Sequence, residues 1–170
     1  LLALQARQAS ISRDAPKGLG QVVDVALYES VFNCMESLLP EYSAFGAVRQ
    51  PAGSALPGIA PSNAYPCVDG MVVIGGNGDS IFKRLMIAIG RDDLATDPQL
   101  TRNPGRVARV AEIDAAIGLW TQARRVEQVL AVLNAASVPV GRIYTAADIA
   151  ADPHFQARDM ILPVTTPDGL

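Results

Sequence analysis

The run from Ala60 to Leu85 leaves a folding chain few options. Its pattern reads as strand, tight turn, strand, glycine turn and helix. Asn63–Val68 is a short extended run, and Asp69-Gly70 is a strong two-residue hairpin signal because glycine adopts positive φ at no steric cost. Met71–Ile74 is continuously apolar, which predicts a return strand buried on both faces. Gly75, Gly76 and Gly78 then surround Asn77, with Asp79 or Ser80 placed to cap the helix that follows. That helix carries Phe82, Leu85, Met86 and Ile89 at one-face spacing, and Gly90 stops it.

A glycine turn between a strand and a helix is either a plain turn or a loop whose backbone approaches a ligand or moves. No Gly-Lys-Ser/Thr follows, so it is not a phosphate-binding Walker loop, and the dinucleotide spacing of glycines is not met. If the loop works through backbone freedom, Gly76→Val removes that freedom while the flanking strand and helix keep the fold intact.

With 170 residues, 49% of them hydrophobic and 18% charged, the chain has material for one core or for parts of two domains. A net charge of −3 argues against a nucleic-acid partner. No apolar run approaches a membrane span, and no signal peptide is visible. Cys34 and Cys67 do not make a disulfide framework, so both are expected as unpaired thiols of a cytoplasmic protein. One histidine and two cysteines without ligand spacing leave no expected metal site. The chain opens on Leu1 and closes on a strand-and-turn signal, which reads as a fragment of a longer polypeptide.

Before the hairpin, Leu1–Gln8 reads as the end of a helix, Ala9–Gly20 as a polar loop, Gln21–Tyr28 as a strand and Glu29–Phe45 as a helix with Val31, Met35, Leu38, Leu39 and Tyr42 on one face. This is the rhythm of a parallel α/β sheet. Gly46–Pro61, with Pro51, Gly53, Pro57, Gly58 and Pro61, suits an extended crossing between domains. After the hairpin, Arg91–Gly105 reads as a loop, Arg106–Trp120 and Arg125–Ala136 as helices, and Val138–Ile143 as an edge strand because of Pro139. Thr145 to Asp148 fits a capping box, Asp152-Pro153 starts another short helix, and Met160–Val164 leaves as a strand.

Little else points to chemistry. His154 reads as a helix-start residue, Asp92-Asp93 as a solvated loop, and the spaced Arg102, Arg106 and Arg109 as a solvated helix face rather than a phosphate site. No serine sits in a nucleophile-elbow context.

The ordered set of short motifs nevertheless resembles the family III CoA-transferases, the formyl-CoA transferase, carnitine CoA-transferase and bile-acid-inducible group. It runs from Gly20-Gln21-Val22-Val23-Asp24-Val25-Ala26-Leu27-Tyr28-Glu29 through Pro61-Ser62-Asn63-Ala64-Tyr65, Asp69-Gly70, the glycine loop and Gly90-Arg91-Asp92-Asp93-Leu94. It continues in Trp120-Thr121, Val138-Pro139, Asp152-Pro153-His154 and Arg158-Asp159-Met160. The resemblance implies an α/β architecture: the tail of a Rossmann-like large domain plus a small α+β domain, from an interlocked homodimer. On that mapping residues 1–45 belong to the large domain, 46–61 to the first crossing, 62–160 to the small domain and 161–170 to the start of the return crossing.

The family's reaction runs through a carboxylate. An aspartate attacks the donor thioester, CoA thiolate leaves and is recaptured as an enzyme-bound thioester, and the acceptor carboxylate takes the CoA. Such intermediates hydrolyse unless water is kept out. The resemblance implies that Gly75, Gly76, Asn77 and Gly78 match the mobile loop that covers them and that Leu27 faces the acyl pocket. No catalytic residue is expected in this chain, because the aspartate belongs upstream of Leu1. The expected partners are an acyl-CoA and a carboxylic acid, with CoA thioester as substrate and no covalently bound cofactor. Two alternatives share the fold: a 2-methylacyl-CoA racemase and a non-catalytic dimerisation fragment. Racemases usually carry a glutamate in the loop matched by Ile74–Ser80, where this chain has none.

Overall fold

A computed structural model of the chain describes residues 24, 26–35 and 37–162. The chain divides into two compact units, Leu1–Gln50 and Pro51–Leu170. The expected helix at Leu1–Gln8 and loop at Ala9–Gly20 lie outside the described residues, as does most of the expected strand at Gln21–Tyr28.

In the first unit, Leu27 and Tyr28 are helical, so the expected strand does not reach Tyr28. Helix α1 spans Leu27–Asn33 and helix α2 spans Leu38–Phe45, in place of one continuous helix. The break follows from Pro40. Proline has no N–H for an interior helical bond and its ring collides with the carbonyl four residues back, so it is confined to the first turn of α2. Between the helices the chain tightens, with Cys34 N–H donating to Val31 O and Met35 N–H to Phe32 O. Gly46 ends α2 at a φ of 65°, where the absence of a Cβ matters.

The second unit is built on an antiparallel sheet in the order β1-β2-β3. Strand β1 (Ser62–Cys67) pairs with β2 (Gly70–Gly75), which pairs with the short β3 (Val140–Arg142). Pairing of Cys67 with Gly70 makes Val68-Asp69 the two-residue turn, so Gly70 is a strand residue rather than a turn residue. The turn is held from outside: Val68 N–H donates to Arg124 O at 2.9 Å, and Asp69 Oδ1 accepts Val126 N–H at 2.8 Å. Strand β2 is not buried on both faces. Val72 and Ile74 are buried, whereas Met71 and Val73 are exposed, which is the alternation of a sheet with one covered face.

Helix α3 (Asp79–Ala88) follows the glycine turn. Its predicted stripe is correct: Phe82, Leu85, Met86 and Ile89 are buried. Its end is a Schellman motif, with Arg91 N–H on Met86 O, Gly90 N–H on Ile87 O, and Gly90 at a φ of 76°. The segment expected as a loop at Arg91–Gly105 is structured. It holds α4 (Asp92–Thr96), a 3₁₀ turn (Pro98–Leu100) and the start of α5 (Asn103–Ala108). Helices α6 (Val110–Gln122) and α7 (Val126–Ala135) complete the core with Ile113, Ile117, Val129 and Leu133. Full burial of each such side chain contributes roughly 1.5–3 kcal/mol. The capping box places Thr145 Oγ1 and Asp148 on each other's backbone N–H at the start of α8 (Ala146–Ala151), and Asp152 caps α9 (Pro153–Ala157). Met160 to Leu162 are not a strand.

Candidate functional site

The glycine turn sits where β2 hands over to α3, and its backbone is anchored rather than free. Gly75 N–H donates to Pro139 O and Gly76 N–H to Pro61 O, each at 3.0 Å. Gly76 is buried, and a Cβ there would lie 2.5 Å from Leu85 Cδ2 and 2.9 Å from Pro61 Cγ. None of Gly75, Gly76 and Gly78 has positive φ. Glycine at position 76 is therefore a matter of space, not of conformational freedom. The expectation that Gly76→Val spares the fold is corrected: the valine would displace a fully buried leucine. Nor do Asp79 or Ser80 cap the helix; Gly78 is the N-cap, and Asp79 is the first helical residue.

The Asp79 carboxylate instead faces two guanidinium groups. Its Oδ1 accepts from Arg106 Nη2 at 2.9 Å and its Oδ2 from Arg102 Nη1 at 2.8 Å. The bond from Arg106 does most to hold this carboxyl below its ordinary range. Asp79 thus stands as an ion-paired anchor at the turn.

Arg106 was expected on a solvated face and is instead fully buried, with 0% of its surface exposed. Its five N–H groups meet five oxygens. Nε donates to Ala60 O at 3.0 Å, Nη1 to Leu100 O and Thr101 O at 3.1 and 3.2 Å, and Nη2 to Asn77 O at 2.7 Å and to Asp79. Its carbon Cζ lies 5.1 Å from the Phe82 ring centroid. Complete satisfaction of the fork is what makes a buried guanidinium tolerable. The adjoining Gly105 permits it: a Cβ there would fall inside the Gln99 carbonyl, so only glycine lets the 3₁₀ turn come close enough to offer the Leu100 carbonyl. That glycine, next to an arginine at a helix start, is the signal that periodicity overrode.

The four loop residues named from the sequence are therefore together, with Gly75 bound to Pro139, Gly76 to Pro61 and Asn77 to Arg106. Asn77 also donates from Nδ2 to Ser62 Oγ at 3.4 Å. Leu27 is 89% exposed at the start of α1, in the first unit.

A concavity lies beside β1 and α6, lined by Asn63, Tyr65, Pro66, Asp114, Gly118 and Leu119 among others. Asp114 accepts from Tyr65 Oη at 2.6 Å and from Asn63 Nδ2 at 3.0 Å. Burial, and then Asp114, push the Tyr65 phenol well above its ordinary value, so it serves as a fixed donor and not as an acid at neutral pH. No group of three or more metal-ligating side chains occurs among the described residues, and no described helix is long and apolar enough to cross a membrane.

The site offers a narrow, pinned glycine turn on a small antiparallel sheet with helices packed on its covered face. A family model described as CoA-transferase family III matches residues 1–170. The chain belongs to that family. It is 45% identical over 169 residues to a succinyl-CoA–D-citramalate CoA-transferase of Chloroflexus aurantiacus, covering 99% of this chain and 40% of the relative. It is 31% identical over 159 residues to a succinyl-CoA:mesaconate CoA-transferase of Haloarcula marismortui, covering 94% of this chain and 39% of the relative. Among solved structures, a CaiB/BaiF family protein from Brucella suis superposes with a TM-score of 0.70 at 33% identity, over 94% of this chain and 41% of that one. This chain thus spans about 40% of the length of the curated relatives it matches.

Proposed function

We propose that this chain is part of an acyl-CoA:carboxylate CoA-transferase that moves CoA between carboxylic acids through an aspartyl-CoA intermediate. The observation that carries the reading is the 45% identity, across nearly the whole chain, to a transferase that uses succinyl-CoA. Succinyl-CoA also stands in the names of the relatives acting on L-malate and mesaconate. We therefore assign succinyl-CoA as donor and a four- or five-carbon dicarboxylate as acceptor.

The aspartate nucleophile belongs to the part of the family's length that these 170 residues do not cover. It attacks the thioester carbonyl and displaces CoA thiolate, leaving a mixed anhydride with the donor acyl group. The thiolate then attacks the aspartyl carbonyl and releases the donor acid. The acceptor carboxylate repeats the exchange in reverse. Residues 75–78 contribute to the substrate site, and the turn shields the thioester from water. Residues 1–45 belong to the large domain, 46–61 to a crossing, 62–160 to the small domain and 161–170 to the return. The working enzyme is an interlocked cytoplasmic homodimer.

The test uses a polypeptide of the relatives' full length that contains this sequence, given succinyl-CoA and D-citramalate, malate or mesaconate. The expected result is a new acyl-CoA by mass, with an enzyme-bound thioester trapped by hydroxylamine. Absence of transfer together with α-proton exchange on a 2-methylacyl-CoA would overturn the reading in favour of a racemase.

A further inference from the structure

We propose that Arg106 is the positioning residue of the 75–78 turn: it fixes the turn to the Ala60-Pro61 segment and so sets how well the turn excludes water from the bound thioester. The consequence for catalysis rests on the transferase function proposed above; the anchoring does not.

The geometry carries the anchoring in three steps. Arg106 binds the turn directly, through Asn77 O and Asp79 Oδ1, from one nitrogen. It binds the segment beneath the turn through Ala60 O, while Asn103, three residues earlier on α5, accepts Ala60 N–H at 3.1 Å. That segment closes the ring, because Pro61 O accepts Gly76 N–H. One planar fork thus adds to the Gly76–Pro61 bond in joining two stretches of chain, at a turn with no side chains at Gly75, Gly76 and Gly78. Lysine cannot substitute, since a point charge reaches the carboxylate but not five oxygens arranged around a plane. Arg106 touches no reacting atom; it acts through the turn.

Two variants in the full-length polypeptide test this. Arg106→Lys keeps the charge and loses the fork. Asp79→Asn keeps the shape and weakens the pair at a side chain that is 41% exposed, so the fold persists even where Arg106→Lys does not fold. The first readout is amide hydrogen exchange. Exchange at residues 75–79 is expected to rise about tenfold or more on loss of charge-assisted bonds, while peptides covering Ile113–Leu133 keep their protection. The second is the partition between hydrolysis and transfer of succinyl-CoA, expected to shift several-fold towards hydrolysis with KM for succinyl-CoA little changed. A merely structural Arg106 would lower both rates in proportion to the folded fraction and leave the partition alone. Wild-type exchange at residues 75–79 in every folded variant overturns the anchoring, and an unchanged partition overturns its catalytic consequence. A wild-type polypeptide that transfers nothing overturns the transferase function instead, and hydrogen exchange still decides the anchoring.

Discussion

The two units of this chain handle their apolar residues in opposite ways. In the second, the sheet's covered face meets α3, α6 and α7, and residues such as Ile74, Leu85, Ile113 and Leu133 lose all contact with solvent. In the first, α1 and α2 carry comparable residues, yet Leu27, Tyr28, Val31, Leu39 and Phe45 all remain exposed, and no residue of either helix is buried. Polar contacts tie the described part of the first unit together: Arg49 donates to both oxygens of Glu41 and to Ser37 Oγ. The difference shows that an apolar face identifies which side of a helix wants cover without supplying the cover. The second unit closes its own core, whereas the described residues of the first close none.

The largest effect expected from this contrast is on autonomy. Residues 51–162 alone should unfold in one cooperative thermal transition with dispersed amide signals, whereas residues 24–50 alone should show no transition. A cooperative transition in the shorter piece would break the comparison.

Next come single truncations. Leu133→Ala leaves a cavity among fully buried neighbours and should cost about 2–5 kcal/mol, whereas Leu39→Ala on exposed α2 should stay within about 0.5 kcal/mol. Urea titration of the whole chain measures both, with Trp120, which packs against the core, as the fluorescent reporter.

Smaller still is the effect of added volume inside the second unit. Gly105→Ala drives a methyl into a backbone carbonyl and should cost about 1–3 kcal/mol. Gly141→Ala in β3 meets nothing within 4 Å and should be neutral to about 0.5 kcal/mol. Equal costs at the two sites would mean that the segment around Gln99 yields freely and that Gly105 does not hold it close to Arg106.

Local signals were legible wherever the determinant lay within a few residues. The α3 stripe, the Gly90 stop, the Thr145 and Asp152 caps and the helix-start place of His154 all depend on neighbours four residues away or fewer. Cys34 and Cys67 are free thiols, as their number and spacing implied. The failures share a different cause. The hairpin turn shifted because Asp69 binds Val126, 57 residues away, and β2 has one open face because helices cover only the other. Arg106 was misread, despite Gly105 beside it, because its spacing from Arg102 and Arg109 is that of a solvated stripe, while its acceptors come from Ala60, Asn77 and Leu100. The glycine turn was visible as a turn, but whether its glycines served freedom or space depended on Leu85 and Pro61 lying against Gly76.

Acid is the mildest perturbation expected to separate the two regions. In the second unit, Asp79 is held below its ordinary range first by Arg106, Asp97 by Arg109, and Asp93 by Arg91, the last down to about 2. Their unfolded counterparts titrate near about 3.9. A carboxyl with a depressed folded pKa contributes stability that is present above about pH 4 and is lost as pH falls through the lowered value. The second unit should therefore lose thermal stability between about pH 4 and 2. The loss should be modest, because these groups lie near solvent and its apolar core does not titrate. In the first unit Glu41 is depressed in the same sense, by Arg49 and then Ser37, and no buried core backs it up. Amide signals of residues 37–50 should move over the acid range while the second unit keeps its dispersed spectrum. A melting temperature of residues 51–162 that stays flat or rises from pH 5 to 2 would show that its ion pairs add nothing to the core. The contrast between the units would then be one of apolar burial alone.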